Sequence, residues 1–120
     1  MKYMLLIYGN DRTWGEMSKL GADQVMAAHQ DVIKDLTAAD EYLGSEGLTA
    51  IGARTVRVSA AGVPAVTDGP FTEAKEVLAG YYLIDCASID RAAEIAARLP
   101  EAAFSPIEVR RVMANEEITM

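Results

Sequence analysis

The chain has 120 residues, 51% of them hydrophobic, with 11 basic and 18 acidic side chains for a net charge of −7. That length supports one hydrophobic core and a single domain, residues 1–120, and the apolar content rules out a disordered chain. The acidic balance, the single histidine and the lack of a basic cluster argue against a nucleic-acid or anionic-membrane surface.

One cysteine, Cys86, allows neither an internal disulfide nor a Cys-based metal site, and its apolar neighbours mark it as a buried, inert thiol. The apolar run at the N-terminus is too short to span a bilayer and lacks the basic region of a signal peptide, so a cytoplasmic location is expected.

Tyr3-Met4-Leu5-Leu6-Ile7-Tyr8 is an unbroken apolar run closed by Gly9-Asn10-Asp11, which predicts a strand buried on both faces. From Gly9 to Ala22 the pattern reads as a loop with room for one helical turn, and it carries the only tryptophan, Trp14. A connection of that length is often a binding loop, so Trp14 either covers the edge of the core or contacts a ligand. Asp23 can cap a helix running to about Ala39. Val25, Met26, His29, Val32, Ile33 and Leu36 fall on one stripe of a 3.6-residue repeat, and His29 is its sole polar member. An imidazole buried there needs a hydrogen-bond partner, because leaving it unpaired costs about 1–3 kcal/mol.

Glu41 to Leu48 reads as a strand interrupted by Gly44 and Gly47, which predicts a bulge or a close backbone approach. Arg54–Ser59 and Val63–Thr67 flank the turn Ala60-Ala61-Gly62 and form a hairpin. Asp68-Gly69-Pro70 follows as a rigid corner, which delivers Asp68 at a strand end, either to satisfy turn amides or to face a pocket. Thr72 can cap a short helical turn over Glu73 to Leu78. Gly80 to Cys86, containing Tyr81-Tyr82-Leu83-Ile84, is a second strand apolar on both faces. Ser88 caps a helix from Ile89 to Leu99 with Ala92, Ile95, Ala96 and Leu99 inward, Glu94 and Arg98 spaced to pair, and Pro100 as its stop. Ile107 to Met113 is the last strand, and Asn115 to Met120 a polar tail or a partner-swapped arm.

The order β, α, ββ, corner, β, α, β predicts a ferredoxin-like α+β sandwich, an antiparallel sheet with two helices on one face. Two strands are apolar on both faces, yet two helices can cover only one. A second copy is the simplest cover, so a homodimer with its sheets face to face is expected.

His29 and Asp68 are the one pair with the makings of acid–base chemistry, since a carboxylate beside an imidazole would fix its tautomer. Arg57 and Arg110 lie on predicted strands, where an arginine either holds a substrate carboxylate or makes a solvated cross-strand pair. Tyr81 or Tyr82 would position a substrate. The chain has no phosphate-binding glycine loop, no Ser–His–Asp order and no His/Cys spacing for a metal, so neither cofactor nor metal is expected. Proton abstraction beside a carbonyl, or a lactone-type isomerisation or elimination, suits one base without a cofactor. The alternatives are a non-catalytic ligand-binding or regulatory dimer, and a purely structural role for the pair.

Lys2 to Tyr8, Gly44-Ser45-Glu46-Gly47-Leu48, Thr67 to Glu76, Gly80 to Ile84 and Ile107-Glu108-Val109-Arg110 together resemble the YCII-related domain family. Within it, they resemble the subgroup named for its Asp-Gly-Pro-Phe (DGPF) signature. The resemblance spans nearly the whole chain and implies a dimeric α–β barrel. The wider family carries a His–Asp pair proposed as a catalytic dyad, and His29 and Asp68 occupy the matching positions. Gly69 departs from that pattern by standing between the aspartate and the Pro-Phe, a one-residue shift that re-aims the carboxylate. Relatives include a muconolactone-type dehalogenase, and members of the subgroup are often encoded beside extracytoplasmic-function sigma factors.

Overall fold

A computed structural model describes residues 1–70 and 76–118. Strand β1 (Lys2–Gly9) leads into helices α1 (Asp11–Ser18) and α2 (Ala22–Ala38), then into β2 (Tyr42–Gly47). A hairpin of β3 (Arg54–Val58) and β4 (Pro64–Asp68) follows, and β5 (Val77–Asp85) returns to the main sheet. Helix α3 (Ile89–Ala97), a 3₁₀ turn (Pro100–Ala103), β6 (Ile107–Arg111) and the single turn α4 (Asn115–Ile118) complete the described chain.

The main sheet is antiparallel in the order β2-β5-β1-β6, while β3 and β4 form a separate two-stranded sheet. With that hairpin set aside, the strand order is ferredoxin-like, an α+β architecture consistent with the α–β barrel folds.

Alternation along β1 explains where the core sits. Tyr3, Leu5 and Ile7 are buried, and they meet Ile84, Tyr82 and Gly80 across the β1–β5 ladder. Val32 and Leu36 of α2, Ala92, Ile95 and Ala96 of α3, and Leu99 just beyond it close over that face. The intervening residues, Met4, Leu6, Tyr8, Tyr81 and Leu83, point the other way and remain half-buried. Met4 pairs with Leu83 and Leu6 with Tyr81, so they form one continuous apolar strip on the face opposite both helices.

Several boundaries differ from the sequence reading, each for a local reason. The stretch expected to be a loop contains α1, which starts with a reciprocal cap. Asn10 Oδ1 accepts from the Thr13 amide and Thr13 Oγ1 accepts from the Asn10 amide, each at 2.9 Å. Gly21, at φ +89°, takes the N-cap of α2 without a side-chain bond, and Asp23 lies inside the first turn, where a carboxylate complements the helix dipole.

β5 begins at Val77, so the helical turn expected over Glu73 to Leu78 gives way at its C-terminal end, while residues 71–75 lie outside the described residues. Arg98 reaches Asp35 of α2 at 2.6 Å and Arg91 reaches Glu94, so the Glu94–Arg98 pair is replaced by better-placed partners. β6 stops at Arg111, and Asn115 to Ile118 turns helical, with Glu117 on Arg111 at 2.6 Å. Among the described residues, no helix is long and apolar enough to cross a membrane.

Candidate functional site

Only Val32 and Leu36 of the α2 stripe are buried in the core, because the N-terminal half of the helix stands over a cavity instead. Val25, His29 and Ile33 are half-buried, and Met26 is exposed. His29 therefore sits where the apolar core ends and the cavity begins.

Both imidazole nitrogens are engaged. Nε2 lies 2.7 Å from Glu101 Oε2, and Nδ1 lies 2.6 Å from the Tyr82 hydroxyl. An ionised carboxylate is an acceptor only, so Nε2 carries a proton and donates it to Glu101. In the neutral imidazole, Nδ1 then accepts from the Tyr82 O–H. Ser45 stands beside them in the cavity lining, with its Oγ 2.7 Å from the Tyr42 hydroxyl. Three side chains thus form one hydrogen-bonded line, Tyr82–His29–Glu101, with the Tyr42–Ser45 pair beside it. The His29 and Tyr82 rings lie nearly parallel, 17° apart with centroids at 5.8 Å, which fixes the imidazole plane.

Tyr82 is almost fully buried, at 3% exposure. Burial, and then the charge of Glu101, push its phenol well above the ordinary value near 10, so it stays protonated at neutral pH.

Glu101 is delivered by the 3₁₀ turn that Pro100 opens. Its backbone carbonyl accepts from Phe104 and Ser105 at 2.9 and 3.0 Å, which tightens the turn and aims the side chain at α2. Two polar atoms here are closed off without a partner, Glu101 Oε1 and Ser105 Oγ. Each such atom costs about 1–3 kcal/mol, which is a common signature of a working site.

Beside this pair lies a cavity of about 470 Å³, within the range of small-molecule sites. Ile7, Trp14, Met17, Met26, Ile33, Leu48 and Phe104 make its walls apolar, and Thr13, His29, Ser45, Tyr82, Glu101 and Ser105 supply its polar groups. Trp14 is held over the bare Cα of Gly9, because a Cβ there would lie 2.9 Å from the indole Cε2. A broad, open depression continues past Trp14 toward Thr49-Ala50-Ile51.

Of the residues picked from sequence, His29, Tyr82 and Trp14 line this cavity. Asp68 does not join them. Its side chain is wholly exposed on β4, 4.0 Å from Arg54, and so touches no part of His29. Tyr81 faces the outer side of the sheet opposite Leu6. Arg57 on β3 and Arg110 on β6 are exposed and lie outside the cavity lining, so the expected carboxylate clamp is not assembled there.

Glu101, Ser45 and Tyr42 were not singled out from sequence. Pro100-Glu101 carries the signature of a helix start, but nothing in it shows that the carboxylate reaches a residue 72 positions earlier. Among the described residues, no three His, Cys, Asp or Glu side chains converge for a metal ion.

A protein of Rhizobium meliloti (strain 1021), described only as uncharacterized, is 37% identical over 109 residues, covering 85% of this chain and 82% of that protein. Residues 1–116 match the YCII-related domain, and the chain therefore belongs to the YCII-related domain family.

Proposed function

We propose that the cavity beside His29 binds a small organic molecule and exchanges protons with it. The observation that supports this is an imidazole held between a carboxylate and a phenol at the wall of an otherwise apolar cavity. Glu101 orients the ring and stabilises the imidazolium that forms when His29 takes a proton at Nδ1. That step requires the ligand to take over the position now filled by the Tyr82 hydroxyl. Tyr82, kept protonated, can then donate to the oxygen that becomes negative.

Proton abstraction beside a carbonyl, leading to isomerisation or elimination, is the reaction class this set suits. In this reading the working unit is a cytoplasmic homodimer of the DGPF subgroup. Its two outer sheet faces pack together over the strip Met4, Leu6, Tyr8, Tyr81 and Leu83, so sedimentation at low micromolar concentration should give twice the chain mass.

The test is hydrogen–deuterium exchange of α-protons in a panel of small ketones and lactones, followed by NMR. The folded wild-type protein should speed exchange of at least one compound, and His29→Gln should lower that rate by roughly 10²-fold or more. No acceleration across the panel, or an unaffected His29→Gln, would count against the chemistry. A second reading, a ligand-binding regulatory dimer acting with a sigma factor, draws support from both imidazole nitrogens already being satisfied. Saturable binding without any proton exchange favours it.

A further inference from the structure

We infer that this cavity takes a largely apolar molecule with one hydrogen-bond-donating head that carries no negative charge, and discriminates against carboxylates; this rests on the cavity being the ligand site. Its walls are hydrocarbon, thioether and aromatic, with Ile7, Trp14, Met17, Met26, Ile33 and Phe104 as the main surfaces. Glu46 borders the space through its backbone, because it pairs with Tyr81 and strand alternation sends its side chain to the outer face. The charge facing a ligand is therefore that of the His29–Glu101 pair.

That pair carries −1 when the imidazole is neutral and 0 when it is protonated, and it is positive in neither state. No lysine or arginine lines the cavity among the described residues. An entering carboxylate would bring a second negative charge beside Glu101, in a space with few dipoles to screen it. A neutral head carries no such cost.

The unpartnered atoms point the same way. Glu101 Oε1 is an acceptor without a donor, and Ser105 Oγ lacks any partner. Both are shut from water as the side chains stand, and a turn of the Glu101 side chain would present Oε1 to the ligand. An amide N–H or a hydroxyl can satisfy that oxygen, whereas a carboxylate offers only acceptors.

Octanamide and octanoate are nearly the same shape and differ in charge, which makes them the probes. Each is titrated at pH 8 into the full chain, followed by emission of Trp14, the single tryptophan at the cavity wall, and by calorimetry. Octanamide should saturate with a Kd at least tenfold below that of octanoate. Octylammonium should also bind at least tenfold more tightly than octanoate, because the sign of the charge decides. Glu101→Gln should shrink the amide-to-carboxylate ratio toward one, whereas a preference set by apolarity alone would survive that change.

Octanoate binding as tightly as octanamide, or as tightly as octylammonium, would overturn the inference while leaving the cavity as a site. Failure of all three to bind would remove the site itself. Binding in the expected order without α-proton exchange on any substrate would sink the acid–base reading alone. Should Glu101→Gln not fold, the ammonium-to-carboxylate ratio of the wild-type protein decides the matter.

Discussion

Tyr82→Phe tests whether the hydrogen-bonded line through His29 is an energetic unit. The substitution removes one oxygen and keeps the ring that packs against Leu5 across the ladder, so little hydrophobic burial changes. The loss falls on His29, whose Nδ1 has the Tyr82 hydroxyl at 2.6 Å and is left without a partner in a half-buried position. Stranding such a group costs about 1–3 kcal/mol. A loss near 2 kcal/mol corresponds to a fall in Tm of roughly 6–10 °C for a domain of this size.

The decisive measurement is a double-mutant cycle with His29→Leu, by urea unfolding at one fixed protein concentration. Once the imidazole is gone, removing the Tyr82 hydroxyl strands nothing on α2, and its cost should drop to about 1 kcal/mol or less. The coupling should therefore be about 1–2 kcal/mol. A coupling below about 0.3 kcal/mol would mean that the line is a geometric coincidence, and the reasoning about the site would fall with it.

Two further outcomes follow from the fold. Arg91 holds the Glu41 carboxyl below its ordinary value of 4.5, chiefly through side-chain hydrogen bonds, with Nη2 at 2.8 Å from Oε1 and Nε at 3.1 Å from Oε2. A depressed carboxylate stabilises the fold above its unfolded value and loses that contribution as pH falls through the folded one. The stability difference between wild type and Glu41→Gln should thus be constant above about pH 5 and shrink toward pH 3, and a difference that grows on acidification would refute the assignment. Gly80→Ala should lower the urea midpoint by the equivalent of about 1–3 kcal/mol with an unchanged slope, because its Cβ would lie 2.9 Å from the Glu46 carbonyl oxygen and 3.5 Å from the Gly47 Cα. Those are backbone atoms that cannot swing away as a side-chain tip can.

The architecture was legible because its signals are local and periodic. Six residues of one turn-spaced stripe marked α2, the unbroken run Tyr3 to Tyr8 marked β1, and Ser88 and Pro100 bracketed α3. The misses lie where a local signal is weak or ambiguous. α1 has a polar sequence with Gly15 in its interior, and only the Asn10–Thr13 cap betrays it. The β3–β4 hairpin was expected, though not as a sheet set apart from the core. Val56, Val58 and Val66 are 60%, 64% and 55% exposed, because the hairpin stands off the main sheet. Alternation reports which side chains share a face, and says nothing of what covers that face.

The site was half legible for a related reason. A lone histidine in an apolar stripe must find a partner, so His29 announced itself from composition and spacing alone. Which partner it finds depends on which elements meet in space, and sequence motif and chain folding point to different ones. The motif pointed to Asp68, at the most conspicuous corner of the chain. The fold delivers Glu101, because the 3₁₀ turn after α3 packs beneath α2 while Asp68 rides out on the hairpin. A carboxylate on a fully solvated strand end would be a poor choice for orienting an imidazole, since screening by water weakens it. Glu101 has the opposite situation, with its backbone carbonyl tied into the turn by Phe104 and Ser105 and its carboxylate largely shielded from solvent. Orientation of the ring thus comes from the better shielded of the two carboxylates, and the charge that a ligand meets in the cavity comes with it.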